Sequence, residues 1–213
     1  MSRLRITEIF LSLQGEGRSA GYPTAFIRLT GCPLRCHYCD TPYAFSGGES
    51  YTIQEIQSQV ADFHVQHVCV TGGEPLAQAD CLPLLSALCD AGYRVSLETS
   101  GALDIREVDP RVTRVMDLKT PGSGEMGRNR MLNLDALRAH DQVKFVITDR
   151  ADYEWSCEQL QAFRIMDRCE VLFSPSQDQM NPTQLADWMV EDRVLARLQL
   201  QLHKQLWGNQ AGR

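Results

Sequence analysis

Six short apolar segments, each ending in polar or glycine-rich residues, constrain the fold of this chain more than any other feature of its sequence. Helix-like patterns or loops separate them, and such alternation predicts a parallel sheet with right-handed crossover connections. Parallel barrels collect their functional residues at the carboxyl edge of the strands. We therefore expect six groups of residues to meet at one edge: Thr30-Gly31-Cys32, Thr71-Gly72-Gly73-Glu74, Glu98-Thr99-Ser100, Asp117-Leu118-Lys119, Thr148-Asp149 and Ser174-Pro175-Ser176.

The length of the chain limits how complete such a barrel is. A closed eight-stranded barrel usually takes about 250 residues, and this chain has 213. We expect an α/β fold: a partial, open barrel of the TIM type with about six parallel strands and fewer flanking helices, in a single domain over residues 1–213. Residues 100–110 and 121–130 are expected to be loops or truncated helices. Alternating apolar residues over 194–202 predict a final, half-exposed strand.

Two helix starts are marked by their local chemistry. Thr52-Ile53-Gln54-Glu55 has the form of a capping box, in which two side chains each bind a backbone amide of the other residue. Asn181-Pro182 places a capping residue before a proline, which suits the first helical position. Both sites predict a helix that begins at the residue following the cap.

Composition narrows the class of protein. At 43% hydrophobic and 23% charged residues, the chain is an ordinary globular one. No apolar run approaches the roughly 20 residues of a membrane span, and Met1-Ser2-Arg3-Leu4-Arg5 lacks a signal-peptide core. A net charge of −6 argues against a broad nucleic-acid surface, which needs a basic face. We expect a cytoplasmic enzyme that acts on a small molecule, without a nucleic-acid or membrane partner.

The loop after the first of the six strands contains Cys32, Cys36 and Cys39 in a C-x3-C-x2-C pattern. Three thiolates bind three irons of a 4Fe–4S cluster, which leaves the fourth iron open to a small molecule. A zinc knuckle, with His37 or another thiol as fourth ligand, is the alternative. Zinc sites usually use two ligand pairs in a closed tetrahedron, and the chain has no second C-x2-C or H-x3-H. The scattered cysteines are expected to pack as small hydrophobic residues: Cys69, Cys81, Cys89, Cys157 and Cys169.

The cysteine triplet resembles the signature of the radical S-adenosylmethionine (SAM) enzymes, and Thr71-Gly72-Gly73-Glu74-Pro75 resembles the Gly-Gly-Glu motif of that family. The resemblance implies that SAM chelates the open iron and that an electron from the cluster cleaves it to a 5′-deoxyadenosyl radical. Tyr38 occupies a position that is usually aromatic. The later polar strand ends are either SAM contacts or simple turn formers. The SAM contacts implied by the resemblance are Tyr38, Gly73, Glu74, Ser100, Lys119, Ser174 and Gln177.

Three further matches narrow the resemblance to the 7-carboxy-7-deazaguanine synthases. They are Ser12-Leu13-Gln14-Gly15-Glu16-Gly17, Arg28 within the first strand, and Cys39-Asp40-Thr41-Pro42. The similarity extends to residues 202–208 and so covers nearly the whole chain. It implies conversion of 6-carboxy-5,6,7,8-tetrahydropterin to 7-carboxy-7-deazaguanine with loss of ammonia, on the route to queuosine and related 7-deazapurines.

This second resemblance also implies a substrate site. Its residues are Leu13, Gln14, Gly15, Arg28 and Thr71. A guanidinium suits the pterin carboxylate because its planar fork donates two parallel bonds, although Arg28 alone also suits a salt bridge with a neighbouring acid. Glu16 is either a ligand of the guanidine-like edge of the pterin or part of a surface turn. Thr41 is implied as a ligand of Mg²⁺, which takes few protein oxygens.

The resemblance further implies a homodimer and a flavodoxin-type electron donor. Whether the tail of the chain contacts the pterin stays open. A glycyl-radical activating enzyme, which shares the cysteine spacing, is one alternative function. A non-catalytic metal-binding module is another.

Overall fold

The computed structural model describes residues 3–208, 210 and 212, and within them nine strands form one sheet. The strands are β1 (Arg3–Leu13), β2 (Pro23–Leu29), β3 (Glu49–Thr52), β4 (His67–Gly72), β5 (Arg94–Thr99), β6 (Thr113–Asp117), β7 (Gln142–Ile147), β8 (Glu170–Pro175) and β9 (Arg197–Leu198). Their order across the sheet is β3-β1-β2-β4-β5-β6-β7-β8-β9.

The sheet is mostly parallel. β1 runs antiparallel to both β2 and β3, whereas every neighbouring pair from β2 to β9 is parallel. The six predicted strands correspond to β2, β4, β5, β6, β7 and β8. The fold is therefore the predicted partial barrel of the TIM type, open between its two edge strands, β3 and β9.

Five α-helices accompany the strands in the described part of the chain. They are α1 (Ile53–Asp62), α2 (Cys81–Asp90), α3 (Arg150–Ala162), α4 (Pro182–Glu191) and α5 (Leu202–Trp207). None of these helices has the length and apolar character that crossing a membrane requires. Between β5 and β6, and after β6, the described residues form only turns and short 3-10 segments, as predicted for residues 100–110 and 121–130.

Both predicted helix starts are confirmed. The Glu55 amide donates to Thr52 Oγ1 at 3.2 Å, and the Thr52 amide donates to the Glu55 carboxylate at 2.6 Å. At α4, the side-chain oxygen of Asn181 accepts from the Thr183 amide at 2.9 Å. Each cap satisfies an amide that the first helical turn leaves without a partner.

The predicted strand over residues 194–202 is wrong for most of its length, because only Arg197–Leu198 pairs with β8. After β9 the backbone leaves the sheet and turns towards the N-terminal part of the chain. The Leu202 amide donates to the Gly15 carbonyl at 3.0 Å, and Leu202 begins α5. Alternating polarity marks a half-buried segment, but it does not reveal whether the backbone partner is a strand or a loop.

The core is built from the apolar faces of the parallel strands and the helices that cover them. Val70, Leu97, Phe145 and Phe173 are fully buried in successive parts of the sheet. Cys69, Cys81 and Cys169 are also buried, as predicted for packing residues, whereas Cys89 and Cys157 are half-buried. All eight cysteines are free thiols.

A buried ion pair fixes β6 to the segment before β7. Arg114 donates to Asp141 Oδ2 from Nε at 3.0 Å and from Nη2 at 2.5 Å, and its amide donates to Asp141 Oδ1 at 2.8 Å. Their side chains are only 3% and 0% exposed. This ion pair lies near the start of the strand whose other end reaches Asp117.

We expect Asp141→Ala to lower the free energy of unfolding by about 3–5 kcal/mol, because it leaves the Arg114 guanidinium buried without its carboxylate. Urea denaturation measures the change. Asp167→Ala is the matched control, since it removes the exposed ion pair between Arg164 and Asp167. The free energy of unfolding of this control should stay close to that of the wild type. Equal effects of the two variants would contradict the importance of the buried pair.

Candidate active site

A cavity of about 650 Å³ lies at the carboxyl edge of the parallel strands. All six predicted core strands or the segments that follow them contribute to its wall, through Arg28, Thr71, Glu98, Asp117, Val146 and Ser174. Five of the six polar strand ends therefore meet at one place, as the alternation of strands and helices predicts. Thr148 and Asp149 are not among the lining residues, and β7 contributes Lys144 and Val146 instead.

The three cysteines of the loop after β2 line this cavity. Cys32, Cys36 and Cys39 are half-buried free thiols. The loop is held by backbone bonds, since the Cys39 amide donates to the Cys36 carbonyl at 3.2 Å and the His37 amide donates to the Ser123 carbonyl at 3.0 Å. Burial raises the pKa of Cys32 and of Cys36.

The arrangement of these thiols fits a multi-iron cluster. Within the residues that the structure describes, no three His, Cys, Asp or Glu side chains gather as they would around one metal ion. A 4Fe–4S cluster, in contrast, takes each thiolate on a different iron. Three thiols that share one cavity wall suit that requirement.

The Gly-Gly-Glu segment after β4 packs directly against the cysteine loop. A Cβ atom on Gly73 would lie 2.2 Å from the Gly31 carbonyl oxygen and 2.9 Å from Cys32 Cβ. Only glycine permits this approach of two backbones. The Glu74 amide also donates to the Gly31 carbonyl at 2.8 Å. Gly73 thus determines how closely the cysteine loop approaches the edge of the sheet.

The Glu74 side chain lies behind the cavity wall and is fully buried. Its carboxylate accepts from Thr99 Oγ1 at 2.9 Å, from the Ser100 amide at 2.6 Å and from Ser100 Oγ at 2.5 Å. These bonds hold the end of β5 and place Ser100 on the wall. Glu74 itself is not among the residues that line the cavity.

Tyr38 and Lys119 form a second part of the wall. Lys119 Nζ donates to Asp117 Oδ2 at 2.6 Å and lies 5.8 Å from the centroid of the Tyr38 ring. Burial opposes the charge of Lys119, but the Asp117 carboxylate outweighs it and raises the pKa of the lysine.

The hydroxyl of Tyr38 is buried without a hydrogen-bond partner among the described residues. Burial raises the pKa of Tyr38 to about 12, so the hydroxyl keeps its proton. Buried polar groups are normally paired. Tyr38 itself lines the cavity, while its hydroxyl is covered by the surrounding protein.

Ser174 and Gln177 extend the wall beyond β8. Ser174 is buried, whereas Gln177 is exposed and donates to Asp178 Oδ1 at 3.1 Å. The predicted SAM residues Tyr38, Gly73, Ser100, Lys119, Ser174 and Gln177 therefore all line one cavity with the three cysteines.

On the other side of the cavity, Glu98 is a half-buried carboxylate, which the sequence placed in a polar strand end but not among the site residues. Thr71 Oγ1 donates to its Oε2 at 3.0 Å, and Gln14 Nε2 lies 3.4 Å from its Oε1. The cations of the wall are paired with other acids, in the pairs Arg28–Glu8, Lys119–Asp117 and Lys144–Glu16. Burial raises the pKa of Glu98 above its ordinary value of 4.5. Its sequence signals were an acid after the run Val95-Ser96-Leu97 and its place in the polar strand end Glu98-Thr99-Ser100.

Glu16 lies in a buried charge network and not in a surface turn. Its carboxylate accepts from Lys144 Nζ at 2.7 Å and from Gln201 Nε2 at 2.8 Å. Lys144 also lies 3.4 Å from Asp117 Oδ1. Although burial disfavours its charge, these acids raise the pKa of Lys144 well above the ordinary value. Lys144 was not predicted, because its partners lie far away in sequence.

Arg28 forms the ion pair that was its alternative role, and it still lines the cavity. Its Nε donates to Glu8 Oε1 at 2.6 Å. The structure therefore combines the two interpretations of this arginine: a salt bridge on one side of the guanidinium and a cavity wall on the other.

The remaining predicted residues differ in their placement. Leu13 and Thr41 line the cavity, and Thr41 Oγ1 lies 3.9 Å from Cys39 Sγ. Gly15 is not among the lining residues. A Cβ atom there would lie 1.9 Å from His203 Nδ1, so Gly15 makes room for α5.

The last part of the chain also contributes to the wall. His203, Lys204, Gly208, Gln210 and Gly212 line the cavity. Lys204 Nζ donates to Asp40 Oδ2 at 3.0 Å, which connects α5 to the residue after the last cysteine of the triplet. The sequence left open whether the tail contacts the substrate. The structure places the described tail residues on the cavity wall.

The fold and the site define a radical SAM protein, and residues 26–118 match the family described as the Radical SAM superfamily. Curated relatives identify the particular family. The 7-carboxy-7-deazaguanine synthase of Chlorobaculum tepidum is 46% identical over 211 residues, which cover 98% of this chain and 96% of the relative. That of Koribacter versatilis is 41% identical, with 96% and 97% covered. The chain belongs to the 7-carboxy-7-deazaguanine synthase family.

Solved structures agree on the fold. The crystal structure of QueE from Escherichia coli is 24% identical, with a TM-score of 0.77 and coverage of 94% of this chain and 95% of that one. Streptococcus suis SuiB bound to S-adenosylmethionine is 18% identical, with a TM-score of 0.56, and the match covers 80% of this chain and 44% of SuiB.

We expect Glu98→Gln to stabilise the free protein at neutral pH. Because burial raises the pKa of Glu98, the folded chain holds this proton more tightly than the unfolded chain. The ionised carboxylate thus begins to destabilise the folded chain as the pH rises above the ordinary pKa of 4.5. This destabilisation is complete once the pH exceeds the folded-state pKa. Urea unfolding at several pH values should show an advantage for the variant at neutral pH that disappears in acid.

Glu55→Gln is the control with the opposite sign. Hydrogen bonds from Thr52 lower the pKa of Glu55, so its contribution to stability is present at neutral pH and is lost as the pH falls through its folded-state pKa. A Glu98→Gln protein that is less stable than wild type at neutral pH would contradict the assignment of a half-buried carboxylate without an ion pair.

Proposed function

We propose that this chain converts 6-carboxy-5,6,7,8-tetrahydropterin to 7-carboxy-7-deazaguanine with loss of ammonia, as a carbon–nitrogen lyase of 7-deazapurine and queuosine biosynthesis. One observation carries the proposal: three free thiols, the Arg28 guanidinium and the unpaired Glu98 carboxylate face one cavity of about 650 Å³. When bound, the cluster and SAM supply a 5′-deoxyadenosyl radical that abstracts hydrogen. The chain's own residues bind and orient the two small molecules.

Cys32, Cys36 and Cys39 would hold the 4Fe–4S cluster, since all three are free thiols that line the cavity. SAM would lie along the neighbouring wall, from Gly73 across Ser100 to Ser174 and Gln177. Lys119 supplies a positive charge there, and the ring of Tyr38 lies beside it on the wall. Glu74 acts behind the wall by positioning Ser100.

The pterin would lie on the opposite side. Arg28 binds its carboxylate, because a guanidinium and a carboxylate match in charge and in the spacing of donors and acceptors. Glu98 accepts from the N–H groups of the guanidine-like edge, and Thr71 and Gln14 orient that carboxylate. Leu13 supplies an apolar contact from the end of β1.

Thr41 would contribute its hydroxyl to Mg²⁺ beside the substrate. The site needs few protein oxygens, since magnesium keeps several waters and also binds substrate oxygens. Its support is the position of Thr41, on the cavity wall two residues after Cys39.

The remaining proposals concern domain organisation, electron donor, location and oligomeric state. We propose a single radical SAM domain over residues 1–213, a flavodoxin-type electron donor, a cytoplasmic location and a homodimer. All nine strands of the described residues join one sheet, which supports one domain. Val190 and Leu195 are 78% and 85% exposed, so apolar surface is available for a second subunit.

The proposal is tested by anaerobic reconstitution with ferrous iron and sulfide, followed by absorbance and EPR spectroscopy. The reconstituted protein is then incubated with SAM, dithionite and the carboxytetrahydropterin, and product is measured by mass spectrometry. We expect Cys36→Ser to lose the cluster signal and the product together. Cys89→Ser, a half-buried cysteine outside the cavity wall, should retain both.

Each negative outcome has a distinct meaning. A working cluster that cleaves SAM without forming the deazaguanine would contradict the pterin assignment and favour an activating enzyme. A colourless protein that binds zinc alone would overturn the enzyme assignment altogether.

The magnesium assignment has its own test. Thr41→Val keeps the shape of the side chain but removes Oγ1, so half-maximal activity should need a roughly 10-fold higher Mg²⁺ concentration. Thr113→Val, on β6 and outside the cavity wall, is the control. An unchanged Mg²⁺ dependence in Thr41→Val would exclude this hydroxyl as a ligand.

A further inference from the structure

Side chains from neighbouring elements hold the guanidinium of Arg28 in place. Glu8 on β1 and Arg28 on β2 are direct cross-strand partners in the antiparallel pair. Side chains at such opposite positions lie close together on the same face of the sheet. Arg28 Nε donates to Glu8 Oε1 at 2.6 Å, and the two side chains are 15% and 26% exposed. The backbone register itself therefore brings the carboxylate to the arginine.

A third residue binds the same carboxylate oxygen. Tyr43, in the 3-10 turn Pro42–Phe45 after the cysteine loop, donates its hydroxyl to Glu8 Oε1 at 2.9 Å. Oε1 thus accepts from Arg28 and from Tyr43 at once. Two donors on one oxygen restrict rotation of the Glu8 side chain more than either does alone.

Aromatic rings also contact the guanidinium. The Arg28 Cζ atom lies 6.0 Å from the centroid of the Phe10 ring and 5.9 Å from that of the Tyr43 ring. Phe10 is itself stacked on Phe26 at 5.0 Å. Cation–π attraction from two rings, one of them fixed by stacking, favours one placement of the guanidinium.

The same contacts leave part of the arginine available. A guanidinium has five N–H donors, and Glu8 takes the one on Nε. Among the described residues, the terminal nitrogens of Arg28 have no hydrogen-bond acceptor, although the residue lines the cavity. The two terminal nitrogens are the pair that binds a carboxylate in the bidentate geometry.

We propose that Glu8 and Tyr43 are positioning residues, which orient Arg28 so that its terminal nitrogens select a carboxylated substrate. This inference rests on the proposed function of the cavity. It differs from the simpler view that Glu8 neutralises Arg28 and competes with the substrate for it. The two views differ in sign: a positioning Glu8 strengthens carboxylate binding, whereas a competing Glu8 weakens it.

The test compares two ligands in the reconstituted enzyme with SAM present. One is 6-carboxytetrahydropterin, and the other is its uncharged 6-carboxamide. For Glu8→Ala we expect a loss of about tenfold in affinity for the carboxylate, the size of one charge-assisted hydrogen bond. Affinity for the carboxamide and the KM for SAM should stay near wild type, so the preference for the carboxylate falls.

Tyr43→Phe is the more delicate variant, because it keeps the ring on Arg28 and removes only the hydroxyl. It should raise the KM for the carboxylated substrate several-fold with little change in kcat, which indicates lost binding and not lost chemistry. Glu8→Gln, which retains an acceptor oxygen, should recover part of the affinity that Glu8→Ala loses. Tyr51→Phe is the matched control, since the Tyr51 hydroxyl donates to Glu49 at 3.0 Å outside the cavity wall.

The outcomes separate the inference from the function on which it rests. Tighter carboxylate binding in Glu8→Ala, or an equal loss for both ligands, overturns the positioning role. Arg28→Ala tests the proposed substrate site. If this variant keeps the preference for the carboxylate, the substrate site itself is wrong. If Arg28→Ala abolishes the preference but Glu8→Ala and Tyr43→Phe do not change it, only the positioning role fails.

Discussion

The close contact between the cysteine loop and the end of β4 is the constraint on which the rest of the site depends. The Gly31 carbonyl lies where a side chain on residue 73 would otherwise be, and the Glu74 amide binds it. That contact brings the thiols to the carboxyl edge of the sheet, where the polar strand ends already meet. Behind it, the buried Glu74 carboxylate ties β4 to the end of β5. A single pair of adjoining backbones therefore joins the cluster loop to the wall on which SAM is proposed to lie.

The charges of the cavity follow a simple distribution. Lys119, Asp117, Lys144 and Glu16 alternate in sign along one wall, so that each charge has a partner of opposite sign. Burying such groups is costly unless they are paired. Glu98 is the exception, because its hydrogen-bond partners are neutral and its carboxylate forms no ion pair among the described residues. Perturbed and unpaired carboxylates of this kind are typical of binding and catalytic sites, and this one lies where a substrate can provide the missing partner.

The sequence was most informative where a single local rule determines the structure. The parallel strands and the caps at Thr52 and Asn181 were predicted correctly, because each depends on neighbouring residues. The cysteine triplet is also a local signal, and its three thiols lie on the cavity wall. β3 was missed, since its four residues are stabilised by pairing with distant β1. Lys144 and His203 were missed for a similar reason: Lys144 bonds Glu16 from a distant part of the chain, and His203 lies against Gly15.

Residues after β1 and residues at the start of α5 meet beside the cavity. Gln201 binds Glu16 across 185 positions of sequence, and Leu202 binds the Gly15 carbonyl. Contacts of such high sequence separation form slowly, because a long loop has to close before they do. During synthesis, β1, β2 and the cysteine loop leave the ribosome well before Gln201 and α5, which complete the pocket. The part of the wall that these late residues supply is therefore missing until the chain is nearly complete.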